Sequence, residues 1–484
     1  MIANLKPYPS MKDSGLPWLG EVPEHWGLKR GKNLFRCIDV RSSTGDEELL
    51  TVSSERGVVP RRSATVTMFK AESYVGHKLC WPGDLVINSL WAWARGLGVS
   101  QFHGIVSTAY GVYRLRAEAH TDSRFIHELV RSTAFHWELQ VRSKGVWTSR
   151  LQLTDESFLG APFPLPAPPE QSAIVRFLDH ADRRIRRYIL AKQKLIKLLE
   201  EQKQAIIHHA VTRGLDPNVR LKPSGVEWLG DVPEHWEVLR LKTLARVIDQ
   251  GVSPQAENRL ADDGSWGVLK AGCVNRGVFR DTEHKRLPAD FPFDPNLGVE
   301  IGDVLVSRAS GSPQLVGSVG RVQSIAYRLI LSDKTFRPVF NTRADSDFMV
   351  LAMNSRYYRQ QVEQAISGAE GLASNLPSSS LRAFAFAVPP VPEQRTIVEH
   401  VRGLTSKLLG TISRAFREID LLREYRTRLI ADVVTGKLDV REAATKLVDE
   451  AEEPGLLDNA EALAEGDEKT ENVDFDAVPE ETEA

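Results

Sequence analysis

The chain is written twice. Residues 14–39 read SGLPWLGEVPEHWGLKRGKNLFRCID, and residues 224–249 read SGVEWLGDVPEHWEVLRLKTLARVID. Sixteen of these 26 positions are identical at a constant offset of 210. A second pair of blocks follows at an offset of 223: PPEQSAIVRFLDH from Pro168 matches VPEQRTIVEHVRG from Val391, and VTRGLD (211–216) matches VTGKLD (434–439). That offset holds without a gap from Ser123 against Ser346 to Asp216 against Asp439, so the insertions fall in the first half of each repeat. PGDLVINSL (82–90) against IGDVLVSRA (301–309) is a weaker match inside the diverged stretch. A chain repeated in this way folds as two like units.

The kept segments read as long helices. Leu178, Ile185, Lys192, Leu199 and Ile206 recur every seventh residue, as do Val401, Leu408, Ala415, Leu422 and Leu429. Ile189, Ile196, Ile412 and Ile419 flank these stripes, which is coiled-coil patterning. Proline-rich sequence (PFPLPAPPE, VPPVPE) precedes each run, and Gly214 or Gly436 is placed to end it. About 40 residues of helix make a rod of roughly 60 Å. With Lys192 and Gln202 on the seam, one such helix needs a partner: its twin within the chain, or a different protein for each.

The diverged modules read as mixed α/β. GDLVINSL, AYGVYRL, GDVLVS and TFRPVF have strand character, and 123–142 and 346–366 read as one helix each. The 484 residues are enough for several domains, and no run of 18 apolar residues suggests a membrane span. The N-terminus lacks a signal peptide's apolar core, and Cys37, Cys80 and Cys273 form no CxxC pair; both suit a reducing cytoplasm. The net charge of −2 conceals an asymmetry: Arg441–Ala484 carries 16 acidic and 3 basic side chains, a net of −13, leaving +11 on the rest. A basic body suits a polyanionic partner, or is simply a Lys/Arg-rich surface.

Catalytic signatures are missing. There is no GxxxxGK[ST] phosphate loop, and Gly96-Leu97-Gly98 lacks the third glycine and frame of a dinucleotide turn. No Asn/Asp precedes the Pro-Pro pairs at 168–169 and 389–390, as an amino-methyltransferase loop requires, and there is no HExxH. His25 and His235 sit in PEHW turns beside Trp26 and Trp236, where a packed or hydrogen-bonding histidine is expected rather than a catalyst. Asp84 and Asp303 follow glycine at strand starts and read as structural.

SGxxWLGxVPEHW, PGDLVINSLWAW…GIVSTAYGVYRL, PPEQxxIVRFL and VTGKLD, in order and twice over, resemble the specificity subunit of type I restriction–modification systems across about Ser14 to Asp439. The resemblance implies an α+β architecture: two mixed α/β target-recognition domains in tandem, separated and joined by two long antiparallel coiled-coil helices with a pseudo-twofold. The expected divisions are 1–164 and 217–387 for the recognition domains, 165–216 and 388–440 for the spacer helices, and 441–484 for a solvated acidic tail. Implied partners are double-stranded DNA, two methyltransferase subunits and ATP-driven restriction/translocase subunits. S-adenosylmethionine, ATP and Mg belong to those partners, and this chain is expected to bind no cofactor or metal and to catalyse nothing. Two diverged readers should recognise a bipartite, asymmetric site, with the helix pair fixing half-site centres about one turn, roughly 34 Å, apart. Leu178, Ile185, Ile189, Ile196, Leu199, Ile206, Val401, Leu408, Ile412, Ile419, Leu422 and Leu429 are the expected helix-pair interface.

Base edges and phosphates are read by Arg, Lys, Asn, Gln and Ser on exposed loops. In the first domain three loops fit: Ser53, Ser54 and Arg56 with Arg61 and Arg62; Asn88, Trp91, Trp93 and Arg95; and Arg142, Lys144, Trp147 and Arg150. In the second domain the candidates are Gln250 and Ser253; Lys270, Asn275 and Arg276; Ser307, Arg308, Ser310 and Ser312; and Ser374, Asn375 and Ser378. Two other readings compete: a fragment of a fused restriction–methylation enzyme, and a coiled-coil scaffold indifferent to DNA sequence.

Overall fold

The structure is a computed structural model that describes residues 5–54, 56–63, 73–145, 151–292, 294–366 and 374–447. The chain divides into two compact units, Met1–Gln193 with Phe416–Ala484, and Lys194–Ala415. Each long helix, Pro168–Arg213 and Val391–Val434, contributes one half to each unit. No helix among the described residues is long and apolar enough to cross a membrane.

In the first unit, an antiparallel sheet has the order Phe35–Cys37, Tyr110–Leu115, Leu85–Asn88, Leu97–Val99. Its central strand is apolar on both faces because it separates two cores. Leu85 and Ile87 enter the main core with Trp26, Phe125 and Phe163, while Val86 joins Leu50, Val58 and Val112 on the other side. The hairpin Leu50–Ser53/Gly57–Pro60 extends that second layer.

The second unit repeats this plan with the sheet Ala245–Gln250, Thr335–Phe340, Val304–Ser307, Val319–Arg321. Val304 and Val306 enter the core of Trp236, Phe348 and Phe386, and Leu305 enters a separate cluster with Cys273 and Leu329. Here the second layer is a three-stranded sheet, with Trp266–Leu269 antiparallel to His284–Arg286 and parallel to Arg328–Ile330. In the first unit the hairpin Leu50–Ser53/Gly57–Pro60 takes this place, with a single parallel bridge from Leu49 to Ile105 where the second unit has a full parallel pairing.

The segments expected as one helix each are helix pairs: Ser123–Arg131 with Thr133–Arg142, and Ser346–Ala352 with Arg356–Ala365. Ser132 is extended, and its hydroxyl accepts from Phe135 N (3.2 Å), capping the second helix of the first pair. The periodicity survives this break, which is why it reads as continuous.

Both long helices form as expected, ending at Gly214 (φ 73°) and Gly436 (φ 77°). Within the first unit they run antiparallel, with Asp182 bonded to Arg426 and Lys192 to Glu418 (2.5 Å). Leu178, Ile185, Ile419 and Leu429 are buried there, and in the second unit Ile196, Val401 and Ile412 are. Ile189, Leu199, Ile206, Leu408 and Leu422 are only half-buried. In the second unit it is Ile207, not Ile206, that enters the core, with Ala210 and Val211, while Ile206 lines a cavity of about 400 Å³ with His209, His400 and Leu404. The tail also begins later than its charge suggests. Arg441–Thr445 is helical, Ala444 is buried in the first unit's core, and Arg176 donates to the carbonyl of Leu447 (3.2 Å).

Candidate nucleic-acid interface

The most repeated motifs build a joint. In the first unit Glu170, in the first turn of its helix, accepts from Tyr8 Oη (2.6 Å) and Trp26 Nε1 (3.1 Å) and meets His25 Nε2 at 2.8 Å. A Cβ on Gly436 would stand 2.3 Å from Pro23, so VTGKLD closes over VPEHW. In the second unit Glu393 holds Trp236 Nε1 (3.1 Å) and His235 Nε2 (2.8 Å), beneath Gly214 of VTRGLD. The adjacent glutamines splint the modules to the helices: Gln171 Oε1 accepts from Asp122 N (2.8 Å), and Gln394 Oε1 from Asp345 N (2.7 Å). Both PEHW histidines are thus joint residues. Asp84 and Asp303 are structural too: Asp84 takes a bidentate bond from Arg114 (2.7 and 2.7 Å), and Asp303 bonds Arg337 at 3.1 Å. Each arginine reaches its aspartate from the strand next to the one that the aspartate precedes.

With the motifs occupied at the joint, sequence reading falls to the diverged loops. In the first unit two of the three expected loops flank one corner of the sheet. Arg131 spans them, donating to Leu97 O (2.7 Å), Ser53 O (3.4 Å) and Ser54 O (2.8 Å). Beside Arg131, burial holds His127 neutral, with its pKa pushed down to about 4; its Nδ1 accepts from Val99 N (3.2 Å). The third loop is tied to the second: Leu153 N donates to Ser89 O (2.9 Å), and Gln152 bridges Lys144. Trp91 and Trp93 stack at a centroid distance of 6.3 Å, and Arg95 beside them is exposed in the left-handed region (φ 62°). Arg56 Nη2 is bonded to Ser63 O (2.6 Å) and Arg62 to Glu48 (3.0 Å), both on the rim. Arg142 is held by Glu138 and Ser157 O, which turns it toward the module, while Lys144 is exposed. Trp147 and Arg150 lie outside the described residues.

The second unit assembles its candidates in the same way. Gln250 Nε2 (3.1 Å) and Arg308 Nη1 (2.9 Å) converge on Asp333 O. Ala309–Ser310 pairs antiparallel with Ser374–Asn375, and Leu376 N donates to Arg308 O (2.8 Å), the counterpart of the Leu153–Ser89 bond. Two candidates are overturned. Ser307 is wholly buried in the central sheet, its hydroxyl directed at Ala271 O (3.4 Å), and Ser374 is buried in its short strand; neither can reach a nucleic acid. Ser307 closes the strand Val304–Ser307, which is buried on both faces, whereas Arg308 lies just past its end. Arg276 is exposed and left-handed (φ 57°), with Lys270 and Asn275 half-buried in the same turn, and Ser253 is exposed. Ser310, Ser312, Asn375 and Ser378 are half-buried around the same edge.

Residue-type reasoning passes over the clamp. Arg131 and Asn354 are equivalent at the offset of 223, and both tie the last strand of their sheet to a helix end, Asn354 through Val319 O (2.9 Å). The ungapped alignment pairs them, so the repeat itself is the signal.

No family model matches this chain. It is 27% identical over 251 residues to the type I restriction enzyme EcoEI specificity subunit of Escherichia coli, covering 50% of this chain and 40% of that protein. It is 24% identical over 283 residues to the MjaVIII specificity subunit of Methanocaldococcus jannaschii, covering 57% of this chain and 62% of that one. The matches thus span about half the length of these relatives. A solved chain, described as the structural basis of complex assembly and conformational transition of the type I R-M system, superposes with a TM-score of 0.60 over 86% of this chain and 99% of its own, at 16% identity. The fold is therefore the one found there, and the resemblance carried by the repeated motifs is matched by type I specificity subunits.

Proposed function

We propose that this chain is the non-catalytic specificity subunit of a type I restriction–modification complex, each module reading one half of a bipartite, asymmetric DNA site. One observation carries this reading: the two units share a sheet plan and a joint, yet present different side chains on matching loops. The bond Leu153–Ser89 is repeated as Leu376–Arg308, while the residues that follow are Leu90-Trp91-Ala92-Trp93 in one unit and Ala309-Ser310-Gly311-Ser312 in the other. A common frame with variable tips is how one fold serves two specificities. On this proposal the helix pair sets the half-site spacing.

On this reading the helices also dock two methyltransferase subunits. Apolar side chains exposed on them support that role: Tyr188, Phe416 and Leu421 in the first unit, and Leu198, Leu404 and Leu409 in the second. Catalysis, with its S-adenosylmethionine, ATP and Mg, then belongs to the partner methyltransferase and translocating restriction subunits, acting on duplex DNA in the cytoplasm.

Mapping methylated adenines genome-wide, with and without this gene, tests the proposal. The expected result is one bipartite motif that disappears with the gene. An unchanged methylation pattern, from a gene shown to be expressed with its partners, contradicts it.

A further inference from the structure

Among the described residues, Trp91 is the most exposed tryptophan, at 60%. A tryptophan so placed buries little of the area that normally holds it in a fold. Its loop is nonetheless built to keep it there. Trp91 N donates to Asn88 O (3.0 Å), Ala94 N and Gly96 N both donate back to Trp91 O (3.0 and 2.9 Å), and Arg95 N donates to Ala92 O (3.0 Å). Closing this loop places Arg95 at φ 62°, the left-handed region that costs a non-glycine residue energy. A Cβ on Gly96 would stand 2.8 Å from Trp91 O, so glycine is required there.

Trp93 braces the exposed ring. Its Nε1 donates to Leu90 O (2.9 Å), and its ring lies at 24° to that of Trp91. One indole is thus fixed by the backbone and the other stacks on it with a face to solvent. The loop leaves the sheet at the same corner as Ser53–Ser54, and the exposed guanidinium of Arg95 follows two residues on.

A rigid, exposed aromatic face beside a cation fits the face of a nucleobase. In an intact duplex those faces are covered by neighbouring bases, so a tryptophan gains them only at a step that opens. Pyrimidine–purine steps open most easily. Where Trp91 and Trp93 stand, the second unit has Ser310 and Ser312.

We propose that Trp91, braced by Trp93, is a stacking wedge with which the first module engages a nucleobase at a deformable pyrimidine–purine step of its half-site, and that the second module reads its half without one. This rests on the specificity-subunit reading and adds to it that the two halves are read by different physical means.

The test uses the full chain assembled with its methyltransferase subunits and a duplex recovered by them from a randomised pool. 2-Aminopurine is placed in turn at each step of the first half-site, excluding the methylated adenine, which the catalytic partner itself extrudes. The wild-type complex is expected to raise the fluorescence at one step. W91A is expected to lose that signal and bind roughly tenfold or more weakly, with W91F keeping most of both. Base changes in the second half should cost W91A and wild type the same factor. Wild-type binding with no unstacked step, or W91A binding as tightly as wild type, overturns the wedge while leaving sequence specificity standing. A wild-type complex that selects no sequence from the pool removes the underlying reading, and the wedge with it.

Discussion

The guanidinium of Arg124 pairs with the carboxylate of Asp179, fastening the first module's helix Ser123–Arg131 to the long helix that follows it. At the equivalent positions 223 residues on, Asp347 pairs with Arg402 at 2.9 Å, so the same bridge recurs with its charges exchanged. Both bridges are partly solvated, so each contributes about 1 kcal/mol or less. R124D sets two carboxylates against each other and should lower stability by about 1 kcal/mol, and R124D/D179R should recover most of the loss. A double-mutant cycle by urea denaturation checks this, and strictly additive single effects would show that the two side chains do not interact.

A less symmetric contact lies one turn along. Glu128 is half-buried beside the long helices of its unit, where the second repeat has Leu351 at the same place. Burial first, then the carboxylates of Asp182 and Asp179, push its pKa up to about 7, against the opposing pull of Arg426 and Arg131. The sign follows from proton linkage. Glu128 holds its proton more tightly folded than unfolded, so its contribution is full below about pH 4.5 and falls away as pH rises toward 7. Comparing melting temperatures of wild type and E128Q from pH 5 to 8.5 should show the wild type losing more with rising pH. E128L, the second repeat's own choice, should be the more stable protein above pH 7. Parallel pH profiles for wild type and E128Q would remove Glu128 as the titrating group.

The joints should be unequal in strength. Glu170 is nearly inaccessible (7%) and takes three partners, whereas Glu393 is 32% exposed and takes two, Tyr8 having no counterpart in the second joint. Removing a buried acceptor strands its donors, at roughly 1–3 kcal/mol for each such group. E170A is therefore expected to cost about 3 kcal/mol and E393A about 1 kcal/mol, read as separate shifts in denaturation midpoint. Equal losses would mean that Tyr8 and burial add nothing to the first joint.

These contacts show what could be read from the chain and what could not. The twofold plan, the helices and the strands around Val86, Val112, Leu305 and Phe336 follow from repetition and apolar pattern, because burial acts on every residue of those segments. The break at Ser132 escapes a periodicity argument, since both helices keep the same apolar face across it. Heptad spacing places the seam but cannot tell Ile206 from Ile207, adjacent residues whose burial is settled by the local packing. Residue type selects Ser307 and Arg308 alike as readers. What separates them is where the strand Val304–Ser307 ends, with the serine inside the doubly covered sheet and the arginine past it, and Arg131 is invisible to residue type because its work is done on backbone carbonyls.

Arg131 gives the sharpest functional expectation. Its guanidinium holds Ser53 O, Ser54 O and Leu97 O together, so it fixes the approach of one candidate reading loop to the sheet edge beside the next. R131M keeps most of the apolar stem and removes the donors, leaving those carbonyls to solvent. The variant should fold, with a loss of about 1–2 kcal/mol for bonds from a charged donor. In the assembled complex it should relax base preference in the first half-site while leaving the second half and the spacing intact. N354L, which cuts the equivalent tie to Val319 O, should do the converse. Selection from randomised duplexes with each variant reads both halves at once. A change in both halves from either variant would mean that the clamps act on the whole subunit, and that one module does not answer for one half of the site.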